Sequence, residues 1–258
     1  MKRIVTALVL IPLVTYVALW GPQWLLLLVT SVVALLCFRE YCWIVASHHI
    51  DRPGPAAYAA GLLVLLVPRP DILLITLLAL VALTLMLRSS EMARGLAGAA
   101  AFVLGIVYIF GAWRCTVPLR AASPYWLLFA LALNWVGDTA AYLVGRTVGR
   151  HKLAPRLSPA KSWEGSIASL VASLAFGLFY LGWLIPDVPP AVRLAISGAG
   201  NVAGQLGDLA ESMLKRGAGI KDSGSLLPGH GGWLDRVDST LFALPVIYGL
   251  LAALGIGR

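Results

Sequence analysis

Long apolar runs separated by short polar gaps dominate the chain, near 4–20, 22–38, 54–68, 71–87, 95–113, 124–144, 164–184, 191–214 and 239–256. Most approach the roughly 20 residues that a helix needs to cross a bilayer. Backbone in lipid must satisfy its own hydrogen bonds, which leaves helices or a closed barrel. The runs are too long and too little alternating for barrel strands. The pattern predicts an all-α polytopic membrane protein of about nine transmembrane helices. The first run follows Met1-Lys2-Arg3 like a secretory signal, but it lacks a small-residue cleavage site, and Gly21-Pro22 leads straight into the next run. It reads as the first span. Pro68-Arg69-Pro70 would make a very tight hairpin between the third and fourth.

One apolar run carries a polar stripe. Asn201, Gln205, Asp208, Ser212 and Lys215 recur at steps of four and three, one face of a helix whose other positions are Val202, Ala203, Leu206, Leu209, Met213 and Leu214. Such a stripe points into a bundle or a wet cavity. After Lys215-Arg216-Gly217 comes a glycine-rich loop with Lys221-Asp222, Pro228-Gly229-His230-Gly231-Gly232 and Asp235-Arg236-Val237-Asp238. Asp235 and Asp238 share a face if the next helix has begun. Carboxylates converging with Lys and Arg suit phosphate chemistry on a hard divalent metal, and glycines let backbone N–H groups approach phosphate. The bland alternative is a salt-bridged cytosolic loop; continuity of the stripe into the span argues against it.

The sixth span also changes character. Asn134 and Asp138 lie four apart near its end, and an ionisable residue within a span is either functional or helix-packing glue. The loop that follows, 145–163, is rich in Arg and Lys, with Glu164 at its end. Its cations could mark sidedness alone or a patch for anionic headgroups. The first half carries little chemistry. Arg39-Glu40 and His48-His49 sit in or beside a cytosolic loop, where the His pair reads as a solvated loop feature rather than a metal site, and Cys37, Cys42 and Cys115 read as small buried hydrophobes.

Composition sharpens the picture in two ways. At 59% hydrophobic and 12% charged, nine spans leave no room for a soluble domain. The net charge of +8 reflects topology rather than nucleic acid, since no basic stripe interleaves with aromatics. With the N-terminus cytosolic, 15 of the 20 Lys and Arg fall on the cytosolic side, leaving Arg69, Arg114, Arg120, Arg193 and Arg258 outside. The positive-inside rule then places loops 145–163 and 215–238 in the cytosol. The chain divides into residues 1–113, a scaffold of helices, and 114–258, a catalytic region.

At Ser212, Lys215-Arg216, Lys221-Asp222, Gly224, Leu227-Pro228, His230-Gly231-Gly232, Asp235-Arg236 and Asp238 the sequence resembles the phosphatidate cytidylyltransferase (CDP-diacylglycerol synthase) family. Asp138-Thr139, Gly145-Arg146, Gly149, His151-Lys152, Ala154-Pro155, Ser158-Pro159, Lys161 and Trp163-Glu164-Gly165 match its second block. Trp233 and Ala160 depart from the pattern, where an aliphatic residue or Phe and another lysine are usual.

The resemblance implies that CTP and phosphatidate become CDP-diacylglycerol and pyrophosphate on Mg²⁺, with room for a second metal or a monovalent cation. It implies a homodimer as well. The expected metal ligands are Asp208 and Asp235, with Asp222 and Asp238 as further ligands or their support. Lys221 and Arg236 join them in catalysis, and Lys215 and Arg216 hold phosphates beside Ser212. Ser158, Lys161, Glu164 and Asp138 close the site, and His230 is positional. The setting implied is a bacterial inner membrane with a cytosolic site. Two other readings compete: a CTP-dependent lipid-alcohol kinase, and a proton- or cation-coupled transporter. No GxxxxGK[ST] phosphate loop is present.

Overall fold

The computed structural model describes residues 2–68, 72–87, 92–225 and 231–257, with side chains from residue 11 onward. Its helices are α1 (Lys2–Leu19), α2 (Gln23–Ser47), α3 (Pro55–Leu66), α4 (Ile72–Met86), α5 (Met92–Ala122), α6 (Pro124–Val148), α7 (Trp163–Leu184), α8 (Pro190–Gly217) and α9 (Leu234–Ala253). The long run of α5 includes a wider π segment at Ile106–Gly111. Among the described residues, α2, α5, α6, α7 and α9 are long and apolar enough to cross a membrane. The chain is a helical membrane protein.

Local chemistry accounts for most helix starts. Pro124 and Pro190 occupy first helical turns, where a missing N–H costs nothing. Ser162 caps α7, its hydroxyl accepting from the Gly165 N–H at 3.2 Å. The N-terminus of α9 has no such cap of its own.

Several expectations about boundaries are corrected. The third and fourth runs form helices of only 12 and 15 residues, which at about 1.5 Å per residue are shorter than the hydrocarbon core. The hairpin expected between them falls partly on residues 69–71, outside the described set. The second run does not stop at 38: α2 continues to Ser47, because nothing in Arg39-Glu40-Tyr41-Cys42-Trp43 breaks a helix. Arg39 and Glu40 therefore sit within the helix, before the loop that follows it. At the other end, α9 begins at Leu234, so Asp235, Arg236 and Asp238 occupy its first turns.

The fold is also not wholly helical. Loop 145–163 contains a two-stranded antiparallel hairpin, β1 (Lys152–Ala154) and β2 (Ser158–Ser162), pairing Lys152 with Ser162 and Ala154 with Ser158. The turn closes with the Leu157 N–H donating to the Ala154 carbonyl at 3.2 Å.

Helices α6, α7, α8 and α9 pack in sequence, α1 leans on α6, and α2 touches α3, α5 and α9. In the first half, Phe38 packs against the rings of Tyr41, Tyr58 and Phe110, and the Tyr41 hydroxyl donates to the Ala101 carbonyl at 2.9 Å. In the second half, Phe129 gathers Trp126, Phe176 and Tyr180. These two aromatic centres fix the frame around the polar site.

Candidate active site

The polar stripe of α8 divides into two functional lengths. Toward the helix start it is glue: Asn201 donates from Nδ2 to the hydroxyls of Ser169 and Ser173 on α7, both at 2.9 Å. Gln205 continues the ladder, donating to Asn201 Oδ1 at 2.7 Å and to the Ser166 carbonyl at 3.2 Å. Buried amides in an apolar bundle need such partners, and here serines of the preceding helix supply them.

Toward the helix end the stripe turns ionic. Lys161, at the end of the hairpin, places its Nζ 2.5 Å from Asp208 Oδ2, and the Ser212 hydroxyl donates to Asp208 Oδ1 at 3.4 Å. Lys215 lies between two carboxylates, Glu211 one turn earlier on its own helix and Asp235 on α9. Glu211 is 1% exposed, and paired burial of this kind is what makes a charge tolerable inside a bundle.

Asp235 is the most constrained carboxylate of the site. Besides Lys215 on Oδ1, its Oδ2 accepts from the backbone N–H groups of Ser223 at 2.9 Å and Gly232 at 2.8 Å. Arg216 reaches across to the hairpin, donating from Nε to the Leu157 carbonyl at 3.3 Å and from Nη1 to the Ile220 carbonyl at 3.2 Å. Hairpin and glycine-rich loop are thus tied to the same end of α8.

Several of these side chains line two cavities that share Asp138 and Asp208. One, of about 640 Å³, runs from Val17, Leu26, Val33 and Leu131 at its apolar end to a charged end. There it meets Asp138, Asp208, Lys215, Arg216, Lys221, Asp222, Asp235, Arg236 and Asp238. The other, of about 470 Å³, lies beyond Asp138 and Asp208 and is lined by Tyr142, Arg146, Lys161 and Gln205 among others.

Most of the sequence-predicted site residues therefore come together. Ser158, Glu164 and Ser212 do not line either cavity, although Ser212 touches Asp208. Glu164 instead accepts from the His151 backbone N–H at 3.2 Å and meets its Nδ1 at 2.7 Å, holding the hairpin onto α7. His230 lies outside the described residues. Glu211 and Glu40 were missed as site residues. Glu211 had a visible signal, its spacing of four from Lys215. Glu40 had only the fact of being an acid at the end of an apolar run.

Five aspartates, Asp138, Asp208, Asp222, Asp235 and Asp238, line the larger cavity. The donors are all oxygen, which suits a hard divalent cation. Among the described residues, no three Asp, Glu, His or Cys side chains stand close enough together to ligate an ion. The oxygen donors of the wall suit such an ion by type, while in this structure Asp208 is paired with Lys161 and Asp235 with Lys215.

Apolar helices closing on a cavity of carboxylates, lysines and arginines define the class: a helical membrane protein with an enzyme-like polar site at one end of its bundle. The chain belongs to the Cytidylyltransferase family, which matches residues 1–254; it is a nucleotidyltransferase. A phosphatidate cytidylyltransferase of Pseudomonas aeruginosa (strain PAO1) is 37% identical over 271 residues, 99% of this chain and 98% of that protein. One from Staphylococcus aureus (strain COL) is 34% identical over 233 residues, 88% of this chain and 89% of its own length. One from Staphylococcus haemolyticus is 32% identical over 256 residues, 96% and 98% respectively.

Proposed function

We propose that the protein converts CTP and phosphatidate to CDP-diacylglycerol and pyrophosphate in phospholipid biosynthesis. The observation that carries this reading is the larger cavity, apolar at one end and densely charged at the other. A lipid phosphate needs both. Its acyl chains would lie against Leu26, Val33 and Leu131, and its phosphate among Lys215, Arg216, Lys221 and Arg236. The neighbouring cavity, with Tyr142, Arg146 and Gln205, has the room and polarity for a nucleoside.

In the reaction, an oxygen of the phosphatidate phosphate attacks the α-phosphorus of CTP. A new P–O bond forms, the bond from that phosphorus to the β-bridging oxygen breaks, and pyrophosphate leaves with the electron pair. Two anions must approach each other, so positioning and charge neutralisation are the main tasks. Lys215, Arg216, Lys221 and Arg236 perform the second. Lys161 and Asp138 close the site from the other side, and Ser158 and Glu164 support the hairpin behind them. No general base is required, because phosphatidate is ionised at neutral pH; His230 is assigned a positional role.

Asp208 and Asp235, with Asp222 and Asp238, are the residues that would hold Mg²⁺. When bound, the ion would supply neutralisation of the triphosphate and polarisation of the α-phosphate. Ser212 would keep the Asp208 carboxylate turned to it.

The same reading gives nine membrane-inserted helices, a cytosolic N-terminus and a cytosolic site in a bacterial inner membrane, supported by the distribution of Lys and Arg. Helices α3 and α4 enter as a pair, so their shortness leaves the sidedness of later helices unchanged. A homodimer belongs to the reading too.

The test is where label goes. CTP radiolabelled at the α-phosphorus should label the lipid product, while label at the γ-phosphorus should leave as pyrophosphate. Lipid labelled from the γ-position would instead identify a lipid kinase.

A further inference from the structure

We propose that Glu40, on α2, is a positioning residue of this active site: its carboxylate joins the first turn of α9 to the Ser223 loop and so sets the orientation of Asp235. The proposal rests on the role assigned to Asp235 above.

Glu40 is 4% exposed and fully engaged. Its Oε1 accepts from the Trp233 N–H at 3.0 Å, and its Oε2 accepts from the Leu234 N–H at 2.9 Å and the Ser223 hydroxyl at 2.8 Å. The first N–H groups of a helix lack intrahelical partners and favour negative charge. Since α9 has no cap of its own, Glu40 serves as one from a residue 193 or 194 positions away in the chain.

What Glu40 grips is what holds Asp235. The two backbone donors on Asp235 Oδ2 belong to Ser223 and Gly232. The first carries the hydroxyl bound to Glu40, and the second immediately precedes Trp233. A shift of the Glu40 carboxylate would move both donors at once.

Two glycines bear on the same contact. A Cβ at position 224 would lie 2.8 Å from Glu40 Oε1, and one at 232 would collide with both Glu40 and Ser223. Their absence of side chain is what allows the carboxylate so close to the loop. Two turns further on, at the C-cap of α2, His48 Nε2 meets the Leu214 carbonyl at 2.8 Å, just before Lys215. Thus this end of α2 meets the last turn of α8 and the first turn of α9.

The test compares wild type, Glu40→Gln, Glu40→Asp and Ser223→Ala in lipid nanodiscs, by steady-state kinetics and by hydrogen–deuterium exchange. Glutamine keeps the shape but turns an NH₂ group toward N–H or O–H donors. We expect Glu40→Gln to lower kcat at least tenfold with both KM values within about threefold. Exchange over 220–236 should quicken at least tenfold while α6 and α7 exchange as in wild type, and Glu40→Asp should recover part of kcat. Unchanged kcat, unchanged exchange over 220–236, or exchange quickened throughout the bundle would overturn the proposal. If Glu40→Gln does not fold, Ser223→Ala decides. It cuts a single link, and should lower kcat at least threefold with the same localised exchange; no change in either would refute the role. A wild type that folds yet forms no CDP-diacylglycerol would defeat the assigned reaction, and exchange alone would then judge whether Glu40 holds the loop.

Discussion

Lys161 on the β-hairpin stands 2.5 Å from Asp208 on α8, so the loop between α6 and α7 and helix α8 meet at one ion pair beside the two cavities. Both side chains are about one-third exposed or less, and pairs of this kind contribute only ~0–1 kcal/mol to stability. The contact matters for what it closes. Lys161→Ala should lower kcat/KM by about tenfold to a hundredfold, roughly 1.4–2.7 kcal/mol of transition-state stabilisation. Detergent melting should shift little. Kinetics beside a thermal melt would check both; a collapse of stability with proportionate loss of activity would mark the pair as structural.

Neutralising Asp235 should separate chemistry from folding. Lys215 keeps Glu211 as a partner when Asp235→Asn is made, so the buried cation does not become unpaired. The variant should insert and purify normally while turnover falls at least a hundredfold, about 2.7 kcal/mol or more. Size-exclusion profiles and pyrophosphate release from the same preparation provide the check.

Asn201 should behave in the opposite way. Its side chain links Ser169, Ser173 and Gln205, and buried interhelical hydrogen bonds contribute on the order of 0.6 kcal/mol each within a membrane. Asn201→Val should cost about 1–2 kcal/mol of stability, read as a lower melting temperature in detergent, with kcat within about threefold of wild type. A loss of turnover without loss of stability would move Asn201 into the site.

The apolar end of the larger cavity offers a substrate-specific test. Leu131 lines it, and a larger ring there would occupy space assigned to acyl chains. Leu131→Trp should raise the KM for phosphatidate about tenfold and leave that for CTP unchanged. Equal effects on both would contradict the assignment of the two cavities.

The contrast between Asp235 and Glu40 shows what could be read from sequence. Asp208, Lys215 and Asp235 announced themselves because charge is costly in an apolar chain, and helical spacing aligned the first two. The same spacing could not tell that Asn201 is glue while Asp208 lines both cavities, since that depends on which helix faces each turn. The hairpin escaped because its strands, Lys152–Ala154 and Ser158–Ser162, are too short for an alternating pattern. Glu40 escaped because its partners lie 183 to 194 residues away, and because α2 outlasts its apolar run. An acid at the end of such a run, with no helix breaker after it, is the signal that was there to use.

The central claim is nucleotidyl transfer onto a lipid phosphate at this cavity. It is tested most directly by measuring pyrophosphate and CDP-diacylglycerol together, from purified protein in mixed micelles with CTP and phosphatidate, with Mg²⁺ or with chelator. The account predicts equal amounts of the two products, dependent on Mg²⁺ and lost in Asp235→Asn. Release of CDP in place of pyrophosphate, or no turnover by folded protein, would contradict it.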